Sequence, residues 1–429
     1  MNRRGFLMLS AAALAPFPAF AATNAGDILF NWYRLILELV RHTATYSPPV
    51  ASRAFAYLGI TAYEALASGN PDRVSLAGQV NELTPVPMRD GMMDDAAVMQ
   101  GALVDAVRNF FGNTGPTGQR AMDAMQRQLD KTLAAIDPDT LARSLAYGKA
   151  VADHILAWSQ TDGGAVIENM GFPDGYKLTD GPAHWVPTSK IALQQAPLLP
   201  NWGSNRTFAM ASGQTCMLDA PPEYSEDPAS QFYQEAMEVV TVTKVLTPEQ
   251  KTIAKFWSDD PMLSPTPPGH WISIAMQIIE RDAMDGMRSA DLLARLGITL
   301  ADAFIGCWAA KMKYDLLRPV TYINRVIDKK WAPMLITPPF PEYPSGHSTQ
   351  SGAAAAVLTA FFGAGFAFSD ATHVDDGIPA RDFPDFWAAA QEAGISRMYG
   401  GIHFRAAIDR GLEQGRCIGA SAAALRTVK

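Results

Sequence analysis

Apolar residues in this 429-residue chain recur every three or four positions over most of its length. That spacing turns one face of an α-helix into a core. Near the start, Ile28, Trp32, Leu35, Ile36 and Leu39 fall on one such face, with Asp27 placed to cap it. Ser47-Pro48 is a cap followed by proline at the first helical position, and predicts an Ala-rich helix to about Ser68. Helical patterns continue near 93–111, 115–136 and 138–160, and resume near Pro228. Thr247-Pro248-Glu249-Gln250 reads as a capping box opening a helix through Phe256-Trp257. A further helix is expected from about His270. A long one should start at Ser289-Ala290-Asp291, carry Trp308 and Lys311, and end near Arg318-Pro319, where proline cannot continue it. The last helices fall near 384–397 and 404–426. No alternating strand pattern of useful length occurs. The pattern predicts an all-α fold of helix bundles.

Three stretches break the rhythm. Residues 161–227 open on Gly163-Gly164 and carry Pro173, Pro182, Pro187, Pro197, Pro200, Pro221 and Pro222. Loops of this length inside compact domains are functional or disordered, and Phe172, Tyr176, Trp185 and Trp202 favour an ordered cover packed over the bundles. Ser348 to Phe368 has no charged residue, close to the length of a membrane span. Its Ala, Gly, Ser and Thr content and the Gly363-Ala364-Gly365 break fit a close-packed core helix instead, so no integral membrane segment is expected in the mature chain. Residues 1–21 read as an export signal: Asn2-Arg3-Arg4-Gly5-Phe6-Leu7, an apolar run, then Ala19-Phe20-Ala21 as a cleavage site. Twin-arginine and general secretion both suit it, and both place the mature chain, from Ala22, outside the cytoplasm of a bacterium, periplasmic or secreted. The expected organisation is 1–21 signal, 22–234 N-terminal helical half including the loop-rich connector 161–227, and 235–429 C-terminal helical domain.

Composition narrows the class. Charged residues at 18% and hydrophobic ones at 48% describe a globular chain, and a net charge of −8 argues against nucleic-acid partners. The three cysteines, Cys216, Cys307 and Cys417, allow one bridge. Cys307 and Cys417 lie in apolar helical patterns, which suits buried free thiols.

Candidate chemistry gathers in three stretches. Pro344-Ser345-Gly346-His347 directly precedes a helical pattern. A helix start leaves N–H groups unpaired and partly positive, Gly346 lets an anion approach the backbone, Ser345 adds a hydroxyl, and His347 can move protons near neutral pH. Upstream, Lys311 and Arg318 stand seven apart, on one face if the helix is continuous, about 10 Å along its axis. Downstream, Arg397 and His403 flank Gly400-Gly401, a break that would let them converge. Three cations, a hydroxyl, a helix N-terminus and two histidines suit a tetrahedral oxyanion. His42, His154, His184, His270 and His373 show no metal-ligand spacing, and no divalent metal is expected.

The order Lys311-x6-Arg318-Pro319, then Pro344-Ser345-Gly346-His347, then Ser396-Arg397-x5-His403 resembles the signature of vanadium-dependent haloperoxidases and type-2 phosphatidic acid phosphatases. Trp308-Ala309-Ala310-Lys311, Phe340-Pro341-Glu342-Tyr343-Pro344 and residues 47–66 also resemble haloperoxidase regions. The resemblance implies paired helix bundles with vanadate, or phosphate at the same site, held by Lys311, Arg318, Ser345, Gly346 and Arg397. His403 would supply the nitrogen bonded to vanadium, or the nucleophile of a phosphatase, and His347 would be the acid–base group. Trp308 and Phe340 would line a halide pocket, and Asp260 would pair with the site's arginines. The usual ending His-x3-Asp is broken, because Ala407 stands where the acid should be, and Asp409 lies too far round a helix to replace it. In a metal-bonded His403 a backbone carbonyl could take over the orienting role. That loss favours haloperoxidase, acting on hydrogen peroxide and halide, over a periplasmic acid phosphatase acting on a phosphate ester through a phosphohistidine. A non-catalytic oxyanion binder is the third reading.

Overall fold

A computed structural model of the chain describes residues 24–189, 196–260 and 264–429. The proposed export signal lies outside the described residues. The fourteen α-helices among the described residues run α1 Ala25–Arg41, α2 Pro48–Ala67, α3 Asp95–Phe110, α4 Pro116–Thr132, α5 Pro138–Ser159, the single turn α6 Gly164–Ile167, α7 Gln231–Lys244, α8 Pro248–Phe256, α9 Thr266–Arg281, α10 Gly286–Tyr314, α11 Pro319–Val326, α12 Gly346–Phe362, α13 Phe386–Tyr399 and α14 Arg405–Ala423. Two three-residue strands, β1 Phe368–Asp370 and β2 Arg381–Phe383, pair antiparallel in the loop between α12 and α13. The all-α reading holds; among the described residues this hairpin is the sole pair of named strands.

Helix starts follow their caps. Thr247 and Gln250 exchange both bonds of the capping box. The cap of α1 is Asn24 rather than Asp27, whose N–H it receives. Asp285 caps α10 by accepting the Arg288 N–H, so this helix begins three residues before the expected Ser289.

Helix α10 is the axis of the molecule. It packs on α2 along one side and on α12 and α14 along the other, and its residues from Ala290 to Trp308 join a core that runs from Ala25 to Leu425. It is long and apolar enough to cross a membrane, yet it is buried within the protein. Helix α12, the uncharged run, is held just as closely. A Cβ on Gly419 of α14 would lie 2.7 Å from the Ala353 carbonyl oxygen, and one on Gly352 would lie 2.7 Å from that of Leu412. Only glycine lets the two backbones approach so closely. This crossing fixes the N-terminus of α12 against the start of α14.

The connector does act as a cover over α10. Trp185 and Trp202 are buried, while Phe172 is half exposed. Asp302 on α10 accepts the N–H groups of Phe208, Ala209 and Met210. Cys216 is bonded to Cys417 on α14, with their Cα atoms 5.9 Å apart. The expectation of a free thiol at Cys417 is therefore wrong: the connector carries Cys216 across α14, a proximity that helical periodicity does not encode. Cys307 is free and buried.

Candidate active site

The long helix stops at Tyr314, not at Arg318. Asp315 takes a left-handed conformation (φ 46°) as its C-cap. Leu316 and Leu317 then run extended: Leu317 N–H donates to the Ala183 carbonyl, and the Leu316 carbonyl accepts from Glu342 N–H, both at 2.9 Å. Arg318 is the N-cap of α11. Lys311 and Arg318 thus do not share a helix face. They converge because the chain leaves one helix and enters the next around the 340–344 segment.

Both side chains are fully buried. The Lys311 ammonium donates to the carbonyls of Pro341 (2.8 Å), Glu342 (2.9 Å) and Pro344 (2.5 Å). An ammonium has three donors, so in this structure Lys311 binds the loop rather than pointing at an open anion position, a correction to its expected role. Burial lowers its pKa to about 7. Arg318 donates from Nε to the Phe340 carbonyl (2.8 Å) and from Nη1 to the Ile402 carbonyl (2.9 Å) and His403 Nε2 (3.1 Å). Its Nη2 is buried with no partner.

Ser345 caps α12, its hydroxyl accepting the Ser348 N–H at 3.2 Å. That leaves the hydroxyl hydrogen free, together with the Gly346 and His347 N–H groups of the first turn. Beside Gly346 there is room: an added Cβ would meet only Phe304 Cε1, at 4.0 Å. Arg397, near the end of α13, donates to Ser396 Oγ (3.0 Å) and to the Trp257 carbonyl. Gly401, at φ +75°, turns the chain back, and the Ile402 N–H reaches the Arg397 carbonyl at 3.1 Å. His403 is thereby placed beside Arg318, 3.1 Å from its Nη1; Arg397, the partner expected across the Gly-Gly break, acts on His403 through its charge.

His403 is oriented by an acid that the sequence reading missed. Its Nδ1 lies 2.8 Å from Glu342 Oε1, which also accepts the Phe404 N–H at 2.8 Å. A backbone carbonyl is not the partner. Because a guanidinium can only donate, Nε2 accepts from Arg318 and His403 is the neutral Nδ1–H tautomer, its Nδ1–H directed at Glu342. Burial, then Arg318, Lys311, Arg397 and His347, hold its pKa well below the usual histidine value. Burial raises Glu342 to about 8 against the pull of Arg318. The hint was an acid inside the apolar Phe340-Pro341-Glu342-Tyr343-Pro344 stretch, and only the fold shows that it faces His403.

Two adjacent acids lie beside Arg397. Asp260 is half-buried and is felt electrostatically by Arg397, as is Asp259. Asp259 is the more engaged. It is buried, its Oδ1 lies 2.8 Å from His270 Nδ1, and its Oδ2 lies 3.5 Å from His347 Nε2. His270 Nε2 in turn lies 2.8 Å from Asp370 Oδ2. Asp259, His270 and His373 stand close enough together to hold a cation. A cation there would have to break the 2.8 Å bond between Asp259 and His270. Histidines without metal-ligand spacing in sequence are thus gathered by the fold.

Trp308 and Phe340 pack at 4.9 Å between ring centroids, and the Trp308 indole N–H donates to the Leu198 carbonyl of the connector at 3.0 Å. The Arg318 guanidinium and Lys311 ammonium lie 5.0 and 5.1 Å from the Phe340 ring. The aromatic pair therefore borders the cationic cluster.

Helix bundles that bury Lys311, Arg318 and Arg397 beside a helix N-terminus and a neutral histidine define the class of fold, and comparison with known proteins gives that class its name. Residues 291–428 match the VCPO second helical-bundle domain. The chain is 26% identical over 407 residues to the vanadium chloroperoxidase of Curvularia inaequalis, covering 79% of this chain and 66% of that protein, so it spans less than two thirds of that relative's length. The crystal structure of the first bacterial vanadium-dependent iodoperoxidase aligns with a TM-score of 0.86 at 37% identity, over 94% of this chain and 97% of that one. The apo-type bacterial vanadium-dependent chloroperoxidase shares the fold, with a TM-score of 0.68 at 16% identity over 89% of this chain and 94% of that one. The chain belongs to the vanadium-dependent haloperoxidase family.

Proposed function

We propose that this protein is a vanadium-dependent haloperoxidase that uses hydrogen peroxide to oxidise halide, iodide most readily and bromide next: H2O2 + X⁻ + H⁺ gives HOX and H2O. The observation that carries this reading is His403, a neutral imidazole fixed by Glu342 with Nε2 directed at Arg318. The unpartnered Arg318 Nη2 and the room beside Gly346 fit an anion of several oxygens. Vanadate would be held by Arg318, Arg397, the Ser345 hydroxyl and the Gly346 N–H, with His403 Nε2 bonded to vanadium and Lys311 acting through its charge and its hold on the 341–344 loop. When bound, vanadate supplies a Lewis acid that activates peroxide for two-electron transfer to halide. His347 takes a proton from hydrogen peroxide as it enters. Trp308 and Phe340 offer a poorly solvating wall on which a halide stays nucleophilic. Likeness to an iodoperoxidase supports iodide as the first halide.

Glu342 keeps the phosphatase reading open, since it supplies the orienting acid whose loss argued against a phosphohistidine. The Cys216–Cys417 bond supports export, because such bonds persist in oxidising compartments. The test is to strip the mature chain of phosphate, load it with vanadate, and measure peroxide-dependent iodide and bromide oxidation. The vanadate-free protein is assayed separately on an activated phosphate ester. Halide oxidation only with vanadate, competed by phosphate, is the expected result. Ester hydrolysis blocked by vanadate, without halide oxidation, would establish the phosphatase. Vanadate binding with neither activity would establish a non-catalytic binder.

A further inference from the structure

Behind His347 lies a file of buried ionisable groups that the oxyanion cradle does not use. Asp370, His270 and Asp259 are linked by two 2.8 Å contacts, one at each nitrogen of His270. A ring with a carboxylate at both nitrogens carries two protons, so His270 is an imidazolium; the two acids, opposing the effect of burial, raise its pKa to about 10. The stacked Trp257 ring, 4.5 Å away, closes one face. Asp259 itself is held at φ +50°, a left-handed conformation that costs energy outside glycine and persists where the surroundings impose it.

One bond to His270 leaves Asp259 Oδ2 without a partner, buried and facing His347 Nε2, which is equally buried and equally unpartnered. Their 3.5 Å separation closes to a hydrogen bond with a small rotation of the ring, as catalytic contacts do when a site fills. The His347 side chain keeps 17% of its surface exposed, and Nδ1 is the nitrogen that does not face Asp259.

We infer that Asp259 is the positioning residue of His347: it receives Nε2–H, fixes the tautomer that presents Nδ1 as the working nitrogen, and is itself locked in place by His270 and Asp370. This rests on the haloperoxidase reading only for what Nδ1 then does, not for the tautomer. Other charges face the same ring. Arg397 and His270, after burial, lower the His347 pKa, and Asp259 opposes them. His373 Nε2 approaches Asp259 from the far side, 3.6 Å from Oδ1.

Two measurements test the assignment. The first is 15N NMR of the histidines in the vanadate-free full chain, with His347 assigned by difference from His347→Gln. The Nε2–H tautomer is expected. A dominant Nδ1–H tautomer would overturn the inference whatever the enzyme does. The second is Asp259→Asn, which keeps shape and tolerates φ > 0. It should lower kcat for iodide by roughly 10- to 100-fold, as loss of an orienting partner does. It should also move the acid limb of the pH profile down by about one unit, because a counter-charge to His347 is gone. Vanadate should still bind, since Asp259 does not touch His403 or Arg318, with any change in affinity carried by the loss of its charge beside Arg397. His373→Gln should leave the profile where it is. An unshifted acid limb in a folded Asp259→Asn protein that still binds vanadate would also overturn it. Lack of activity in the wild type would count against the haloperoxidase reading and leave the NMR result decisive here.

Discussion

Arg53 in the N-terminal half and Arg318 in the C-terminal half are both buried guanidinium groups, and their partners differ. Arg53 meets Asp162 through Nε (2.6 Å) and Nη2 (3.3 Å), Glu168 through Nη1 (2.8 Å), and the Ser159 carbonyl. Tyr57 completes Asp162 at 2.8 Å. Arg318 meets two carbonyls and a neutral imidazole, with one nitrogen unmatched. The electrostatics follow the partners. Burial works against the Arg53 charge, but Asp162 and Glu168 outweigh it and raise its pKa. Arg318 and Arg397 are pushed down to about 10, in both cases by burial first. One cluster is neutralised and holds the fold together. The other keeps a surplus of positive charge that an anion would relieve.

Exchanging the roles of the two clusters should fail in opposite ways. Arg53→Ala leaves Asp162 buried without its partner and should cost about 3–5 kcal/mol of stability, read by denaturant unfolding, with vanadate affinity unchanged. Arg318→Ala should leave the unfolding midpoint close to wild type and weaken vanadate binding by about 2–5 kcal/mol in calorimetric titration. The opposite pattern would mean that the surplus charge is structural.

A smaller effect comes from the His270 pair. Its folded pKa lies above the unfolded value, so its contribution is fully present below about pH 6.5 and is lost as pH rises towards about 10. Across that window the folded state binds one more proton than the unfolded one. Wild-type stability relative to His270→Gln should therefore fall by about 1 kcal/mol per pH unit between pH 7 and 9. A pH-independent difference would show that His270 is not an imidazolium. Smallest of all is Lys313, exposed on the last turn of α10. Lys313→Ala should change vanadate affinity by less than about 0.5 kcal/mol.

Much of this was legible along the chain. Helical period, caps and prolines placed nearly every helix, and the three motifs named Arg318, Ser345, Gly346, His347, Arg397 and His403. What escaped was decided by contacts between distant segments. The end of α10 depends on Asp315 adopting a left-handed conformation, not on Pro319 four residues later. Glu342 reaches His403 across 61 positions, and Asp370 reaches His270 across 100. Local pattern cannot show which of many acids faces a given imidazole. Cys417 reads as an ordinary helical core residue until the connector brings Cys216 beside it.

The most direct test of the surplus-charge account is a crystal structure of the phosphate-free protein soaked in vanadate. Vanadium should appear bonded to His403 Nε2, with oxygens on Arg318 Nη2, Arg397, Ser345 Oγ and the Gly346 N–H, and the Arg53 cluster should remain closed on Asp162 and Glu168. Vanadium away from His403, or no bound anion at concentrations that saturate related haloperoxidases, would contradict it.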